Sequence, residues 1–210
     1  MNLCKPEGYN PALIEMLNIF GSIEKTSDEA LMAKAAKGDS QSFALIYDRY
    51  AARMQWYFLK MLGKDAEKAR DFTQDLFVKL AEKPHLFDTS KKFSTWLYSV
   101  AHNMCKNEYR KLSVRNHVKG EDIGVEKRIL DDEAKDPAME LDKHTFEQML
   151  EVQLKLLDEN HRTAFLLRYK EEMSIKEIAD IMGTSEGTVK SRLFYTVKKL
   201  SEKLRSFEYN

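Results

Sequence analysis

The stretch MSIKEIADIMGTSEGTVKSRLFYTVKKLSEKL, from Met173 to Leu204, constrains the fold more than any other part of the chain. Ser174 and Glu177 make an S-x-x-E capping box, which predicts a helix start at that point. Ile175, Ile178, Ala179 and Met182 recur at helical spacing and mark its buried face. Gly183 ends the helix, because glycine enters the left-handed conformation at little cost. Ser185 is placed to cap a second helix, in which Val189, Leu193, Val197, Leu200 and Leu204 form one stripe. Thr188, Ser191 and Tyr195 fall opposite, with Lys190 and Arg192 on the flanks. Two helices, a short glycine turn and a polar, basic start to the second helix describe a helix-turn-helix. Hydroxyls and cations at that end suit base edges and phosphates in a major groove. The alternative is an ordinary helical hairpin whose glycine is only a stop.

The rest of the chain predicts an all-α protein of two small helical domains joined by a flexible linker. Among 210 residues only four are proline and eight glycine, too few for many tight strand turns. Charged residues make up 32% and hydrophobic ones 43%, which suits a helix-rich, water-soluble chain. The 34 basic and 34 acidic residues cancel, so a nucleic-acid binder of this composition has to concentrate its cations locally or borrow a partner's. Cys4 and Cys105 have no Cys or His at metal-ligand spacing, so neither a metal nor another cofactor is expected, and a reduced, cytoplasmic setting is the simplest reading. No apolar run approaches a membrane span.

Residues 1–25 read as an extension, with Leu13, Leu17 and Phe20 fitting a short amphipathic helix. Glu15 and Asn18 interrupt what would otherwise be a secretory apolar core. Residues 26–113 form the first expected domain. Thr26 and Glu29 suggest a second capping box, and the helix it opens stops near Gly38. A longer helix carries Phe43, Ile46, Tyr47, Tyr50, Met54 and Phe58 and ends at Gly63. Asp65 caps the next, where Phe72, Leu76 and Leu80 face inward and Asp71, Gln74, Asp75 and Lys79 outward, until Pro84 breaks it. After a polar loop, His85 to Lys92, a helix is predicted from about Phe93 to Ser113.

That loop and helix are basic. Lys91, Lys92, Lys106, Arg110, Lys111, Arg115 and Lys119 outnumber the nearby acids Asp88 and Glu108. Phe93, Trp96, Tyr98 and Tyr109 are interleaved with them. Cations that follow phosphates, and rings that stack on unpaired bases, suit a single strand. The competing reading is a solvated charged face over core aromatics, with Trp96 expected in the core. Residues 114–137, with Gly120, Gly124 and the acids Asp131, Asp132 and Glu133, read as a linker. Helices resume around Ala138 in a second domain, 138–210. There Leu150, Leu154 and Leu157 form a stripe, and Asp158 caps a helix containing Phe165, Leu166 and Tyr169.

Three blocks in this order carry a family resemblance: DAEKARDFTQDLFVKL from Asp65, FSTWLYSVAHNMCKNEYRK from Phe93, and MSIKEIADIMGTSEGTVKSRL from Met173. The chain resembles the extracytoplasmic-function (group 4) sigma factors of bacterial RNA polymerase, from about Asp28 to Leu204 apart from the linker. The resemblance implies a promoter-melting domain (region 2) followed by a domain reading the −35 element (region 4). It places Asp71, Gln74 and Asp75 at the polymerase β′ clamp, and region 4 at the β flap. The loop from Pro84 to Lys92 aligns with one that holds a flipped −10 base. Lys91, Lys92, Trp96, Asn103 and Arg110 then belong to the −10 surface, with Tyr98 supporting the pocket. Thr188, Lys190, Ser191 and Arg192 fall on the −35 reading helix. The implied partners are RNA polymerase core, promoter DNA and an anti-sigma factor, and no catalysis is implied. Lys68, Ala69 and Arg70 depart from the commoner clamp pattern. His102 stands where arginine is frequent and is expected at the surface. Arg162 and Arg168 lie in the helical part before the helix-turn-helix, where a contact role and a plain surface charge or ion pair carry equal weight.

Two other classes fit parts of the pattern. A dimeric helix-turn-helix repressor acting without polymerase needs a self-association face, and no heptad run offers one. An enzyme built on His85, His102 or His161 lacks ligand spacing, a phosphate-binding glycine loop and a nucleophile motif.

Overall fold

The computed structural model describes residues 26–63, 65–118 and 143–205. The expected helix around Leu13, the linker beyond residue 118 and the restart at Ala138 lie outside them. Among the described residues there are eight α-helices, one 3-10 turn and no strands. The helices are α1 (Asp28–Ala35), α2 (Ser40–Met61), α3 (Ala66–Glu82), α4 (Phe93–Val118), α5 (Lys143–Lys155), α6 (Glu159–Tyr169), α7 (Ile175–Met182) and α8 (Glu186–Arg205). The 3-10 turn spans Pro84–Leu86.

Short polar side chains set the helix starts. Asp39, Asp65 and Asp158 accept backbone N–H bonds at the starts of α2, α3 and α6. The box at Ser174 and Glu177 forms completely at α7. The expected box at Thr26 and Glu29 does not form. Ser27 caps α1 instead, and the Thr26 carbonyl is taken by Arg49. Glu29 Oε1 accepts the Phe93 N–H at 2.9 Å, so this carboxylate serves the start of α4. Helix α4 also runs five residues beyond the predicted end at Ser113, to Val118.

The first half, α1 to α4, closes over aromatic side chains. Tyr57, Phe58, Phe93 and Tyr98 are fully buried. Tyr57 meets Tyr98 edge-on at 5.4 Å between ring centres, and Phe58 meets Phe72 at 5.5 Å. On α3 the inward stripe is wider than predicted, with Ala69, Thr73 and Phe77 buried beside Leu76 and Leu80.

In the second half α7 and α8 form the helix-turn-helix. Gly183 adopts φ +59°, and its amide bonds back to the last turn of α7. Ile178, Ala179 and Ile181 are the buried residues of α7. The stripe on α8 is Val189, Leu193, Thr196 and Leu200. Val197, predicted within it, is 38% exposed. The strict four-residue step drifts around a helix of 3.6 residues per turn, so one three-residue step is needed, and Thr196 occupies it.

The two halves are packed against each other, with α4 on α7 and α2 on α6. Arg162 of α6 lies at the centre of the junction and is 7% exposed. Its guanidinium donates to Leu154, Lys155 and Leu157 at the end of α5, and to Lys60 and Met61 at the end of α2. Carbonyls at helix C-termini lack intrahelical partners and carry partial negative charge, so one guanidinium satisfies two helix ends. The plain alternative for Arg162, a surface charge or an ion pair, does not describe it.

Candidate nucleic-acid interface

The start of α8 is prepared for an anionic partner. Ser185 Oγ accepts the Thr188 N–H at 3.1 Å and lies 2.9 Å from Thr188 Oγ1. This pairing fixes Thr188, which is half-buried, while Lys190 and Ser191 are exposed. Arg192 is half-buried, and its positive charge contributes to lowering the pKa of His102.

In the first half, the loop between α3 and α4 is pinned from inside and open outside. Phe87 is buried against Phe93 and Trp96, with ring centres 5.2 and 5.4 Å away. Asp88 accepts from the hydroxyl and the backbone N–H of Ser90, which close the turn and hold its carboxyl below the usual range. Lys91 is exposed, and Lys92 Nζ lies 2.6 Å from Glu177 Oε1 of α7. Along α4, Asn103 and Arg110 are exposed and Trp96 is half-buried.

On α4 one open choice is decided and one expectation needs correction. Phe93 and Tyr98 are fully buried and offer no ring to a nucleic-acid base. Burial, and then the neighbouring Glu171 carboxylate, push the Tyr98 phenol well up. His102 is not at the surface: it is 3% exposed, and its Nδ1 is buried without a hydrogen-bond partner. Burial first, then Lys106 and Arg192, lower its pKa to about 4, so it is neutral at pH 7. Its place on a helix face was readable, but the neighbour that covers it comes from another part of the chain.

On α3, Asp71, Gln74 and Asp75 are exposed on one face. Lys68, at the atypical position, bridges to Glu108 of α4 at 2.6 Å and so serves the fold locally. Arg168 donates to the Met173 carbonyl at 2.9 Å, bracing the turn before α7. Sequence reasoning gave no role to Glu171, whose side chain is 4% exposed and lies 2.6 Å from Arg53 of α2. The two residues are 118 positions apart, and no local pattern signals such a pairing.

The arrangement therefore presents a hydroxyl- and cation-rich helix end, a pinned basic loop continuing into a polar helix face, and a separate acidic-amide face. Among the described residues no group of three or more potential ligands could hold a metal, and no helix is long and apolar enough to cross a membrane.

Residues 46–115 match the family described as Sigma-70 region 2, and residues 147–200 match Sigma-70, region 4. The chain is 33% identical over 177 residues to the ECF RNA polymerase sigma factor SigW of Bacillus subtilis, covering 80% of this chain and 92% of that one. It is 31% identical over 173 residues to SigL of Mycobacterium tuberculosis, covering 81% and 93%. Among solved structures, the fold is similar to RpoE bound to the anti-sigma factor NepR from Bartonella quintana, with TM-score 0.63, 22% identity and coverage of 79% and 98%. It is also similar to CnrH bound to the cytosolic domain of CnrY, with TM-score 0.62, 22% identity and coverage of 86% and 99%. With both sigma regions in order on one all-helical chain, and relatives matched over nearly their full length, this protein belongs to the extracytoplasmic-function sigma factors of the sigma-70 family.

Proposed function

We propose that this sigma factor binds RNA polymerase core in the cytoplasm and directs it to promoters by reading paired and unpaired DNA with different halves. Residues 138–210 grip the −35 duplex, with Thr188, Lys190, Ser191 and Arg192 at the groove. Residues 26–113 hold the −10 strand along Lys91, Lys92, Trp96, Asn103 and Arg110. Residues 114–137 link them. Asp71, Gln74 and Asp75 meet the β′ clamp, and the second half meets the β flap.

One observation carries this reading: the capped, exposed start of α8 and the exposed polar face of α4 sit on one chain. The first suits a major groove, and the second suits a backbone with its bases turned out. Flipping a base costs a few kcal/mol, and stacking on protein returns roughly 1–3 kcal/mol per base. Opening is thus driven by preferential binding to the separated strand, with no bond chemistry by this chain. With Phe93 and Tyr98 buried, Trp96 and the loop carry what stacking there is.

Regulation by an anti-sigma factor is part of the proposal. One solved relative of this fold is bound to an anti-sigma factor, NepR, and another to the cytosolic domain of CnrY. Run-off transcription with purified polymerase core on a promoter pool tests the reading. Specific transcripts that need this chain are expected; tight operator binding as a dimer, with no affinity for core, would overturn it.

A further inference from the structure

The chain enters its first helix beside an exposed apolar surface. Among the described residues of the first half, Tyr47, Val78, Leu86 and Val114 are large apolar side chains left exposed. The first three gather around the end of α3. Val78 lies on that helix, the Tyr47 ring of α2 meets the adjacent Phe77 edge-on at 4.8 Å, and the turn carrying Leu86 packs on α3. Single exposed apolar residues are ordinary, whereas a group of them marks a contact surface. Val78 follows Gln74 by four positions and Asp75 by three, so it stands in the face assigned to the β′ clamp.

The entry point of the chain is fixed. The Thr26 carbonyl accepts from the Arg49 guanidinium at 2.8 Å, and Arg49 lies two residues beyond Tyr47 on α2. Tyr47 is therefore within about one helix diameter of Arg49, roughly 10 Å. Upstream of Thr26 the sequence predicts a helix over 11–20. Asn10 is placed to cap it, Pro11 suits its first position and Gly21 its stop. Glu15 and Asn18 fall on one narrow side. Leu13, Met16, Leu17 and Phe20 fall opposite, flanked by Ile14 and Ile19. A helix this short does not hold in water unaided, so its apolar side needs a surface to pack on. The chain from Phe20 to Thr26 spans up to about 20 Å, enough to lay such a helix across Tyr47.

We propose that residues 11–20 dock as an additional helix on the Tyr47, Val78 and Leu86 surface of their own chain, and that the seated extension excludes the β′ clamp. The exclusion rests on the clamp reading given above. Leu13, Leu17 and Phe20 supply the apolar contact, and Asp71, Gln74 and Asp75 form the polar rim beside it. Polymerase core and the extension compete for Val78. The apparent affinity for core is then set by the fraction of chains whose extension is unseated.

The test uses the full chain with the photoreactive residue benzoylphenylalanine in place of Tyr47, made in isotopically heavy and light forms and mixed before irradiation. Mass spectrometry should find adducts between position 47 and residues 11–20 of the same chain. Leu13→Asp with Leu17→Asp should cut that adduct at least tenfold. In an otherwise wild-type chain the same pair should tighten core binding roughly three- to tenfold, because the unseated fraction rises toward one. No adduct with residues 11–20 would overturn the proposal. So would adducts found only between heavy and light chains, which assign the surface to a second copy. Core binding that is unchanged or weaker in the Leu13→Asp, Leu17→Asp chain would overturn the exclusion and give the surface to the polymerase alone. If the adduct forms as expected but neither wild type nor variant binds core, the clamp reading falls and the competition with it; the docking itself would stand.

Discussion

The guanidinium of Arg162 donates to the carbonyl of Met61 at 3.3 Å, joining residues 101 positions apart. Four further carbonyls share the same side chain, so its loss strips donors from the ends of α2 and α5, with the Tyr109 hydroxyl left on Met61 alone. Lysine keeps the charge but not the planar fork of five donors. Arg162→Lys is expected to lower stability by roughly 3 kcal/mol, read as an earlier urea midpoint. An unchanged midpoint would remove this residue from the centre of the junction.

Of the residues proposed for the −35 element, Arg192 has the most donors for a base edge. Arg192→Ala should cost roughly 1–3 kcal/mol of discrimination at the −35 element, about a 5- to 150-fold fall in initiation there. Run-off transcription on promoters that keep or lose that element gives the comparison. Equal output on every promoter would count against the role.

Gln74 and Asp75 are exposed on α3. Gln74→Ala with Asp75→Ala should weaken core association roughly tenfold, about 1.4 kcal/mol, while circular dichroism stays unchanged. A pull-down showing equal affinity would move the clamp contact elsewhere.

His102 makes stability depend on acid in a defined window. Its pKa is about 4 here against an ordinary 6.5, so the unfolded chain takes up the proton first. The contribution is fully present above pH 6.5 and fades as pH falls toward 4, by about 3 kcal/mol in all. Glu177 acts lower: the Lys92 ammonium and the Ser174 cap hold its pKa near 2 against an ordinary 4.5, so its share is lost below pH 4.5. Between pH 6.5 and 4.5 His102→Gln should flatten the slope of thermal midpoint against pH. A slope equal to wild type would assign the dependence to other groups.

The helices were legible because their signals are local. Ser174, Glu177 and Gly183 specify α7 within ten residues, and the structure keeps all three roles. The α8 stripe was legible except at Val197, where a four-residue step was carried one turn too far. What stayed hidden depends on distant partners. The burial of His102, the carbonyl cluster around Arg162 and the pairing of Glu171 with Arg53 follow from docking between segments far apart in sequence. The candidate interface divides in the same way. Exposed cations and amides followed from helix phase, whereas Phe93 and Tyr98 stood open between stacking rings and core aromatics until the core that claims them was assembled.

The carboxylate of Glu29 on the first amide of α4 bears on how this protein is cut for study. A fragment trimmed to the matched segment, 46–115, discards α1 and with it the acid that seats Phe93. Such a piece would begin its longest helix frayed, with Trp96 one turn from the loose end. A boundary placed ahead of Ser27 keeps that first turn wound.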